Sequence, residues 1–296
     1  MKFKDYNVLF KLNKGFSGDE KYCIEKDNIK YLLRLSKTKS IEYITNLYNF
    51  LKQINDLDIP ICKTIEIGEY DNKVYWIQEW IEGVDLREVI ENIPLEKQYD
   101  LGFDAGMALK KLHSIKLPDH FILEPWNERY NRKIDLKIKN YNNCHLKYNN
   151  GELFINYLQN NRHLLDDRPN SFQHGDYHIG NFMLDKNNNL VIIDFEGYNY
   201  GDPWEEFDRL VWCTEKSPSF AKGMVDGYFN NQVPIVFFKT ILLYISNNIL
   251  SSLPWAVNYG EEQIEIMKNL ANNELKFYKN FTTVIPTWYN DENNTK

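Results

Sequence analysis

The sequence predicts an α+β protein with a small, strand-rich N-terminal lobe and a larger, mainly helical C-terminal lobe. In the first hundred residues, short β-branched and aromatic runs alternate with turn signals around one amphipathic helix. From Pro94 onward, apolar residues recur mostly at helical spacing. The chain has 296 residues, enough for about two domains. We therefore expect the lobes to cover 1–83 and 84–296.

In the smaller lobe, each expected element has its own signal. Strands are predicted where β-branched and aromatic residues cluster, at 22–25, 31–35, 64–68 and 74–80. A helix is predicted between the second and third of these strands, because apolar residues recur at helical spacing behind Ser40, which is suited to capping.

The larger lobe is predicted to be helical except for one hairpin. Apolar stripes end near His113 and fill 154–165, and helical patterns return after Pro203 as far as about Tyr278. Two short strand signals, 182–184 and 190–193, flank the segment DKNNN, whose asparagines favour a tight reversal.

Composition and charge exclude several classes of protein. The 35 basic and 42 acidic side chains give a net charge of −7 and a pI near 5.5, which argues against nucleic acid as a partner. We expect no signal peptide and no membrane span, since the apolar segment 233–250 reads as a buried helix. The four cysteines lack CxxC spacing, which favours reduced thiols in the cytoplasm. The sequence leaves the oligomeric state open.

The segment 172–196 carries the most chemical information. It reads FQHGDYHIGNFMLDKNNNLVIIDFE, so that Asp176 precedes Asn181 and the strand LVII runs into Asp194. A carboxylate at the end of an apolar strand, together with an amide oxygen, suits a hard cation. This arrangement leaves Asp176 free to accept a proton, and phosphoryl transfer needs such positioning and charge neutralisation more than covalent help.

The motif HGDYHIGN followed by IIDFE resembles the signature of the aminoglycoside and choline kinases, which are relatives of protein kinases. The resemblance implies a protein-kinase-like fold and transfer of the γ-phosphate of ATP or GTP to a hydroxyl group. It also implies that Asp176 is the catalytic aspartate, that Asn181 and Asp194 bind Mg²⁺, and that His174 is structural.

The same resemblance implies where the nucleotide binds. The loop 13–18 would cover the phosphates, with Ser17 adding a hydroxyl donor beside the glycines. Arg34 stands where the family has a lysine, and Glu42 is the expected partner carboxylate on the following helix. The residues implied in nucleotide binding are Gly15, Ser17, Gly18, Arg34, Glu42, Gln78, Glu79, Trp80 and Ile81.

The acceptor is expected to be small. No A-P-E segment follows the motif, and a long activation loop has no room before Gly201, which disfavours a protein substrate. Acidic and aromatic side chains could bind a cationic acceptor, with an aminoglycoside as the first choice. The candidates for this role are Asp202, Trp204, Glu205, Glu206, Asp208, Glu261 and Glu262. The alternatives are choline, a macrolide, an amino sugar, or a nucleotide-binding module without catalysis.

Overall fold

A computed structural model describes residues 2–13, 18–55, 57–115, 117 and 123–290. The strands are β1 (Lys2–Phe3), β2 (Tyr6–Leu12), β3 (Glu20–Lys26), β4 (Ile29–Ser36), β5 (Thr64–Tyr70), β6 (Lys73–Glu79), β7 (Gly83–Asp85), β8 (Ser171–Gln173), β9 (Phe182–Asp185), β10 (Leu190–Ile192) and β11 (Asn199–Gly201). The α-helices are α1 (Ile41–Asn55), α2 (Leu86–Val89), α3 (Leu95–His113), α4 (Trp126–Asn143), α5 (Gly151–Asn160), α6 (Leu210–Lys216), α7 (Pro218–Phe229), α8 (Ile235–Ala256), α9 (Glu261–Phe277) and α10 (Thr287–Asn290).

The first compact unit contains Met1–Leu86 and Asn181–Tyr198. Its main sheet has six strands in the order β1-β2-β3-β4-β6-β5, and every neighbouring pair is antiparallel. Helix α1 starts after Ser40, whose hydroxyl accepts the N–H of Tyr43 as the capping pattern predicts. The four predicted strands and the predicted helix are confirmed. Strands β1, β2 and β7 were not predicted, because they are short or carry few β-branched residues.

The hairpin β9–β10 belongs to this first unit, which corrects the expected division into 1–83 and 84–296. Strand β7 pairs with β9, and Ile61 forms a parallel bridge with Ile192. The backbone of Ile192 also donates to Pro60 O at 2.7 Å and accepts from Cys62 N at 3.0 Å. These hydrogen bonds join segments far apart in sequence, so chain order alone could not assign the hairpin.

The second compact unit contains Arg87–Gly180 and Asn199–Lys296. In it, α3 and α7 approach so closely that glycines form the contact. A Cβ atom on Gly106 would lie 2.1 Å from Met224 O, and one on Gly223 would lie 2.2 Å from Tyr99 O. Real Cβ atoms do not approach a carbonyl oxygen this closely, so the helix spacing requires glycine at these positions.

We expect Gly106→Ala to destabilise the protein by about 1–3 kcal/mol, because the added methyl forces α3 and α7 apart. Thermal unfolding should show a lower Tm. The neighbouring exposed residue Met107 provides the control, since Met107→Ala removes side-chain atoms from the solvent-facing side of the same helix. Equal Tm values for the two variants would contradict the role assigned to this contact.

Helix α8 forms the centre of the second unit. Leu242, Leu243, Tyr244 and Leu250 are fully buried, and the helix contacts α4, α5 and α9. Of the described residues, only the stretch Ile235–Tyr259 is long and apolar enough to cross a membrane, yet 72% of its apolar window is buried inside the protein. The stretch therefore has the character of a core helix, as the sequence predicts.

Glu274 is a buried carboxyl group on α9, with 2% of its surface exposed. Burial raises its pKa to about 8, since the charged form loses its hydration. The folded state therefore keeps a proton that the unfolded chain releases above its ordinary pKa of 4.5. The stabilisation from this proton is complete below that pH and is lost as the pH rises through about 8.

We expect Glu274→Gln to be more stable than the wild type at pH 8 by roughly 1 kcal/mol or more, with the difference shrinking toward pH 5. Urea unfolding at several pH values measures this difference. Glu265→Gln, at an exposed position of the same helix, should show no such pH dependence. A constant difference between Glu274→Gln and the wild type across this range would show that the carboxyl does not titrate as described.

Candidate active site

The hairpin of the first unit brings Asn181 and Asp194 to the same end. Phe182 pairs with Ile192, and one position further out the N–H of Ile193 donates to Asn181 O at 3.0 Å. Asp194 follows immediately. Asn181 and Asp194, the two predicted metal ligands, are therefore attached to neighbouring parts of the backbone at this end of the hairpin.

Asp194 has an unusual backbone conformation and a partly exposed carboxylate. Its φ of 67° lies in the left-handed region, which aspartate tolerates better than most residues. Its side chain is 35% exposed. Burial raises its pKa, but a hydrogen bond with Glu196 and the charge of Arg34 outweigh that effect, so the pKa lies below its usual value. Asp194 is therefore an ionised group able to bind a cation.

Arg34 lies in a cluster of three carboxylates. Its Nη1 is 2.8 Å from Asp194 Oδ1 and 2.8 Å from Glu196 Oε2, and its Nη2 is 3.6 Å from Asp19 Oδ2. The guanidinium also lies over the ring of Trp76, 5.2 Å from the centroid. Only 4% of the Arg34 side chain is exposed. Arg34 therefore neutralises carboxylates inside the unit.

The predicted pairing of Arg34 with Glu42 is wrong. Glu42 is exposed in the first turn of α1, whereas the partners of Arg34 are Asp19, Asp194 and Glu196. The helical pattern predicted α1 correctly. It could not show that Arg34 pairs with Glu196, two positions after Asp194, instead of with a carboxylate on α1.

Glu196, the last residue of the motif IIDFE, is a site residue to which the sequence assigned no role. Its Oε1 accepts from Trp76 Nε1 at 2.8 Å, and its backbone oxygen accepts from the hydroxyl of Tyr43 at 3.0 Å. Burial raises its pKa to about 7, and the hydrogen bond with Asp194 acts in the same direction. These contacts hold the turn that presents Asp194.

The donor set suits Mg²⁺ bound together with a nucleotide. Among the described residues, no group of three or more His, Cys, Asp or Glu side chains could hold a metal by itself. Mg²⁺ commonly uses one or two protein oxygens and completes its octahedron with phosphates and water. A partly exposed, ionised Asp194 beside Asn181 fits that requirement.

The structure describes some, but not all, of the residues predicted to bind the nucleotide. Gly15 and Ser17 lie outside the described residues, whereas Gly18 has a φ of 68°, which favours glycine. Gln78 lies in β6 between two paired strands. The backbone of Glu79 is occupied, since its N–H donates to Lys63 O at 2.9 Å and its carbonyl accepts from Cys62 Sγ at 3.3 Å. Trp80 and Ile81 follow the strand.

In the second unit, Asp176 presents a carboxylate held by two cationic or polar side chains. Its Oδ1 lies 3.2 Å from Arg209 Nε, and its Oδ2 lies 3.3 Å from His178 Nε2. The Nδ1 of His178 accepts the N–H of Gly180 at 3.0 Å. This backbone bond leaves the ring proton on Nε2, which donates to Asp176. The side chain of Asp176 is 44% exposed.

The pKa of Asp176 results from opposing effects. Burial raises it, whereas the hydrogen bond from His178 and the charge of Arg209 lower it by more, so that the pKa lies well below the usual value. The carboxylate is therefore ionised at neutral pH. Arg209 was missed by sequence reasoning, because nothing in the local pattern links it to a residue 33 positions earlier.

Glu206 anchors the loop that carries Asp176. Its two carboxylate oxygens accept the N–H groups of His174 at 2.6 Å and of Gly175 at 2.7 Å. Gly175 has a φ of 87°, and the fully buried His174 accepts the N–H of Asp176 through Nδ1 at 3.2 Å. The structural role predicted for His174 agrees with these contacts.

Several residues predicted to bind the acceptor are internal partners instead. Asp202 is fully buried, accepts from Arg168 Nε and Nη2 at 2.6 and 2.7 Å, and caps the following 3₁₀ helix through the N–H of Trp204. The guanidinium of Arg168 covers the ring of Trp204 at 3.7 Å. Glu205 is buried and pairs with Lys133. Glu206 holds the loop that carries Asp176. The prediction that these residues bind the acceptor is therefore corrected, and structural roles are assigned to Asp202, Trp204, Glu205 and Glu206.

The other three candidates for acceptor binding differ in exposure. Asp208 is 13% exposed, and burial raises its pKa to about 6 although Arg209 opposes that effect. Burial lowers the pKa of nearby Lys137 to about 8. Glu261 and Glu262 are exposed in the first turn of α9. Asp208 also lies 3.5 Å from Arg209 Nε, so of the three only Glu261 and Glu262 are both exposed and available for a cationic ligand.

A sheet lobe with an ionised aspartate at the end of a hairpin and a helical lobe with a second, ionised aspartate on a tightly anchored loop are typical of a kinase-like phosphotransferase. The model of the phosphotransferase enzyme family, APH, matches residues 10–235. The chain belongs to this family and is a small-molecule kinase. The comparison with curated proteins gives no match.

Solved structures show the same fold at low sequence identity. A thermostable mutant of aminoglycoside phosphotransferase APH(4)-Ia, in a ternary complex with ADP and hygromycin B, aligns with a TM-score of 0.68, 15% identity and coverage of 91% of this chain and 94% of the other. A choline/ethanolamine kinase family protein from Mesorhizobium loti has a TM-score of 0.62, 14% identity and coverage of 94% and 92%. The gentamicin complex of APH(2")-IIa has a TM-score of 0.57, 18% identity and coverage of 90% of each chain.

Proposed function

We propose that this kinase transfers the γ-phosphate of ATP or GTP to a hydroxyl group of a small acceptor that also carries an amino or ammonium group, an aminoglycoside being the first choice. The observation that carries the proposal is the partly exposed, ionised Asp176 held between His178 and Arg209. We place the reaction in the cytoplasm, where nucleotide donors are available and thiols such as the buried Cys62 and Cys213 stay reduced.

Asp176 orients the acceptor hydroxyl and receives its proton. Because its pKa lies below the usual value, it is a weak base, and the proton moves only as the oxygen bonds to phosphorus. A loose phosphoryl-transfer transition state requires little activation of the nucleophile before that point. Arg209 keeps the carboxylate ionised, and His178 fixes its orientation.

On the nucleotide side, Asn181 and Asp194 would hold Mg²⁺, which would neutralise charge on the phosphates. Arg34 contributes by keeping Asp194 ionised and in place. The loop containing Gly15, Ser17 and Gly18 donates backbone N–H groups to phosphate oxygens. Since the backbone groups of Glu79 are already paired, Trp80 and Ile81 supply the contacts to the purine.

The acceptor class is supported by charge and by the structural neighbours. The protein has a net charge of −7, and Asp208, Glu261 and Glu262 retain some exposure. Hygromycin B and gentamicin are bound in two of the neighbouring structures, and a third neighbour is named for choline and ethanolamine. All of these compounds combine a hydroxyl group with an amine or ammonium group.

An acceptor panel tests the proposal. Purified protein is incubated with Mg-ATP or Mg-GTP and one of hygromycin B, gentamicin, choline, ethanolamine, an amino sugar or a macrolide. Release of nucleoside diphosphate and a phosphorylated product in the mass spectrum identify the acceptor. We expect transfer to an aminoglycoside. Transfer to choline alone, or to a macrolide alone, would establish the corresponding alternative and exclude an aminoglycoside as the acceptor.

Tight nucleotide binding without transfer to any acceptor or to water would favour the non-catalytic alternative. The retention of Asp176, Asn181 and Asp194 in one motif argues against that alternative, because a binding module has no use for the proton acceptor.

A further inference from the structure

His113 is the last residue of α3, and its side chain points into the second unit, where only 5% of it is exposed. Its Nδ1 lies 3.0 Å from the hydroxyl of Tyr228 on α7, and the two rings meet edge to face. Its Nε2 is buried and lies 3.5 Å from Glu206 Oε2. His113 therefore connects α3 and α7 to the carboxylate that anchors the loop carrying Asp176.

The neighbours of the imidazole indicate where its proton lies. If only Nδ1 carried a proton, the lone pair of Nε2 would face the carboxylate of Glu206, and the two would repel each other. If Nε2 carries the proton, the Tyr228 hydroxyl donates to Nδ1 and the N–H at Nε2 faces Glu206. A doubly protonated ring would present the same N–H. The contacts therefore favour a proton on Nε2.

Glu206 benefits from this N–H because its carboxylate is buried, with 2% of the side chain exposed. A buried charge is costly unless hydrogen-bond donors surround it. The Oε2 atom that accepts the N–H of His174 at 2.6 Å is the same atom that Nε2 of His113 faces. The imidazole thus stabilises the carboxylate in the position from which it holds the loop backbone.

We propose that His113 is a positioning residue for phosphoryl transfer: its N–H at Nε2 holds Glu206, Glu206 holds the backbone of the loop that presents Asp176, and the Tyr228 hydroxyl selects the required tautomer. The inference rests on the proposed function, since it takes Asp176 to be the group that orients the acceptor hydroxyl. The sequence pattern marked His113 only as the end of an apolar stripe.

Hydrogen exchange tests the positioning role without an acceptor. Mass spectrometry compares peptides containing residues 173–176 in the wild type, in His113→Leu and in His113→Gln, whose amide places a donor near the position of Nε2. We expect these amides to exchange about 10-fold faster or more in His113→Leu, because a charged group loses a donor, and close to the wild-type rate in His113→Gln. The control is Tyr148→Phe, which removes a buried hydroxyl bonded to Ile249 O at 3.0 Å and should leave exchange in the loop unchanged.

Kinetics tests the consequence for catalysis. On the acceptor found in the panel, His113→Leu should lower kcat by about 10- to 100-fold, since a displacement of about 1 Å can cost that much, with the affinity for Mg-nucleotide unchanged. His113→Gln should recover most of the loss. A packing role alone would lower the Tm of both variants and leave the kcat of the folded protein unchanged. Wild-type kcat in His113→Leu, or equal losses in His113→Leu and His113→Gln, overturns the inference.

A third measurement uses the wild-type protein and does not depend on whether a variant folds. Long-range ¹H–¹⁵N correlation spectra show which ring nitrogen carries the proton, and nuclear Overhauser effects with the ring of Tyr228 identify the signals of His113. A proton on Nε2 supports the inference, and a ring protonated on Nδ1 alone overturns it. A wild type that phosphorylates no acceptor would instead refute the proposed function, while hydrogen exchange and the tautomer would still decide whether His113 positions the loop.

Discussion

Asp176→Asn should lower kcat by roughly 10²- to 10⁴-fold, with little change in the affinity for Mg-nucleotide. The amide keeps the shape of the side chain but cannot accept the acceptor's proton. His178 and Arg209 would also face a neutral group in place of the carboxylate they now contact at 3.3 and 3.2 Å. Steady-state kinetics on the acceptor found in the panel, together with nucleotide titration, measures both quantities.

The matched control is Asp100→Asn, which changes an exposed aspartate of α3 that pairs with Lys97 of its own helix. This variant should keep wild-type turnover. If Asp176→Asn also turned over at the wild-type rate, the assignment of Asp176 as the proton acceptor would be abandoned, whatever the acceptor.

Asp202→Asn should destabilise the protein by about 3–5 kcal/mol, because it leaves the charge of Arg168 without its buried partner. Asp202 has no exposed surface, and it accepts hydrogen bonds from Arg168, Tyr244 and the N–H of Trp204. Urea unfolding measures the loss. In the double variant with Arg168→Met, the two effects should be clearly non-additive, since both changes remove the same interaction.

The same variant separates a structural role from acceptor binding. If Asp202 bound the acceptor, Asp202→Asn would raise the acceptor KM while the unfolding free energy stayed close to that of the wild type. The exposed Glu261 provides the comparison: Glu261→Gln should leave stability unchanged, so any increase in KM there reports directly on acceptor binding.

Much of the fold could be predicted because local patterns control it. Alternating β-branched and aromatic residues predicted strands β3 to β6, and the capping serine with its apolar stripe predicted α1. Polar stretches were harder to predict. In α4 the buried residues are Trp126, Tyr130, Ile134 and Tyr141, a sparse stripe within a charged helix, and it gave no usable signal.

The functional motif was predictable for a different reason. Asp176, Asn181 and Asp194 lie within one short segment, and a hairpin between the last two dictates where they emerge. The spacing alone therefore identifies the class of chemistry. The carboxylates near Trp204 were misassigned, because sequence shows charge but not whether a partner such as Arg168 or the loop backbone already holds it.

The sequence by itself determined the order of elements, the phosphotransferase motif and the class of reaction, since each depends on residues close together in the chain. Only the tertiary structure decided which charges meet: Arg34 with Asp194 and Glu196 across about 160 positions, Arg209 with Asp176, and Glu206 with the loop backbone. Ion pairs act over a few ångströms of space, and their partners can come from any part of the chain. No local pattern therefore encodes them.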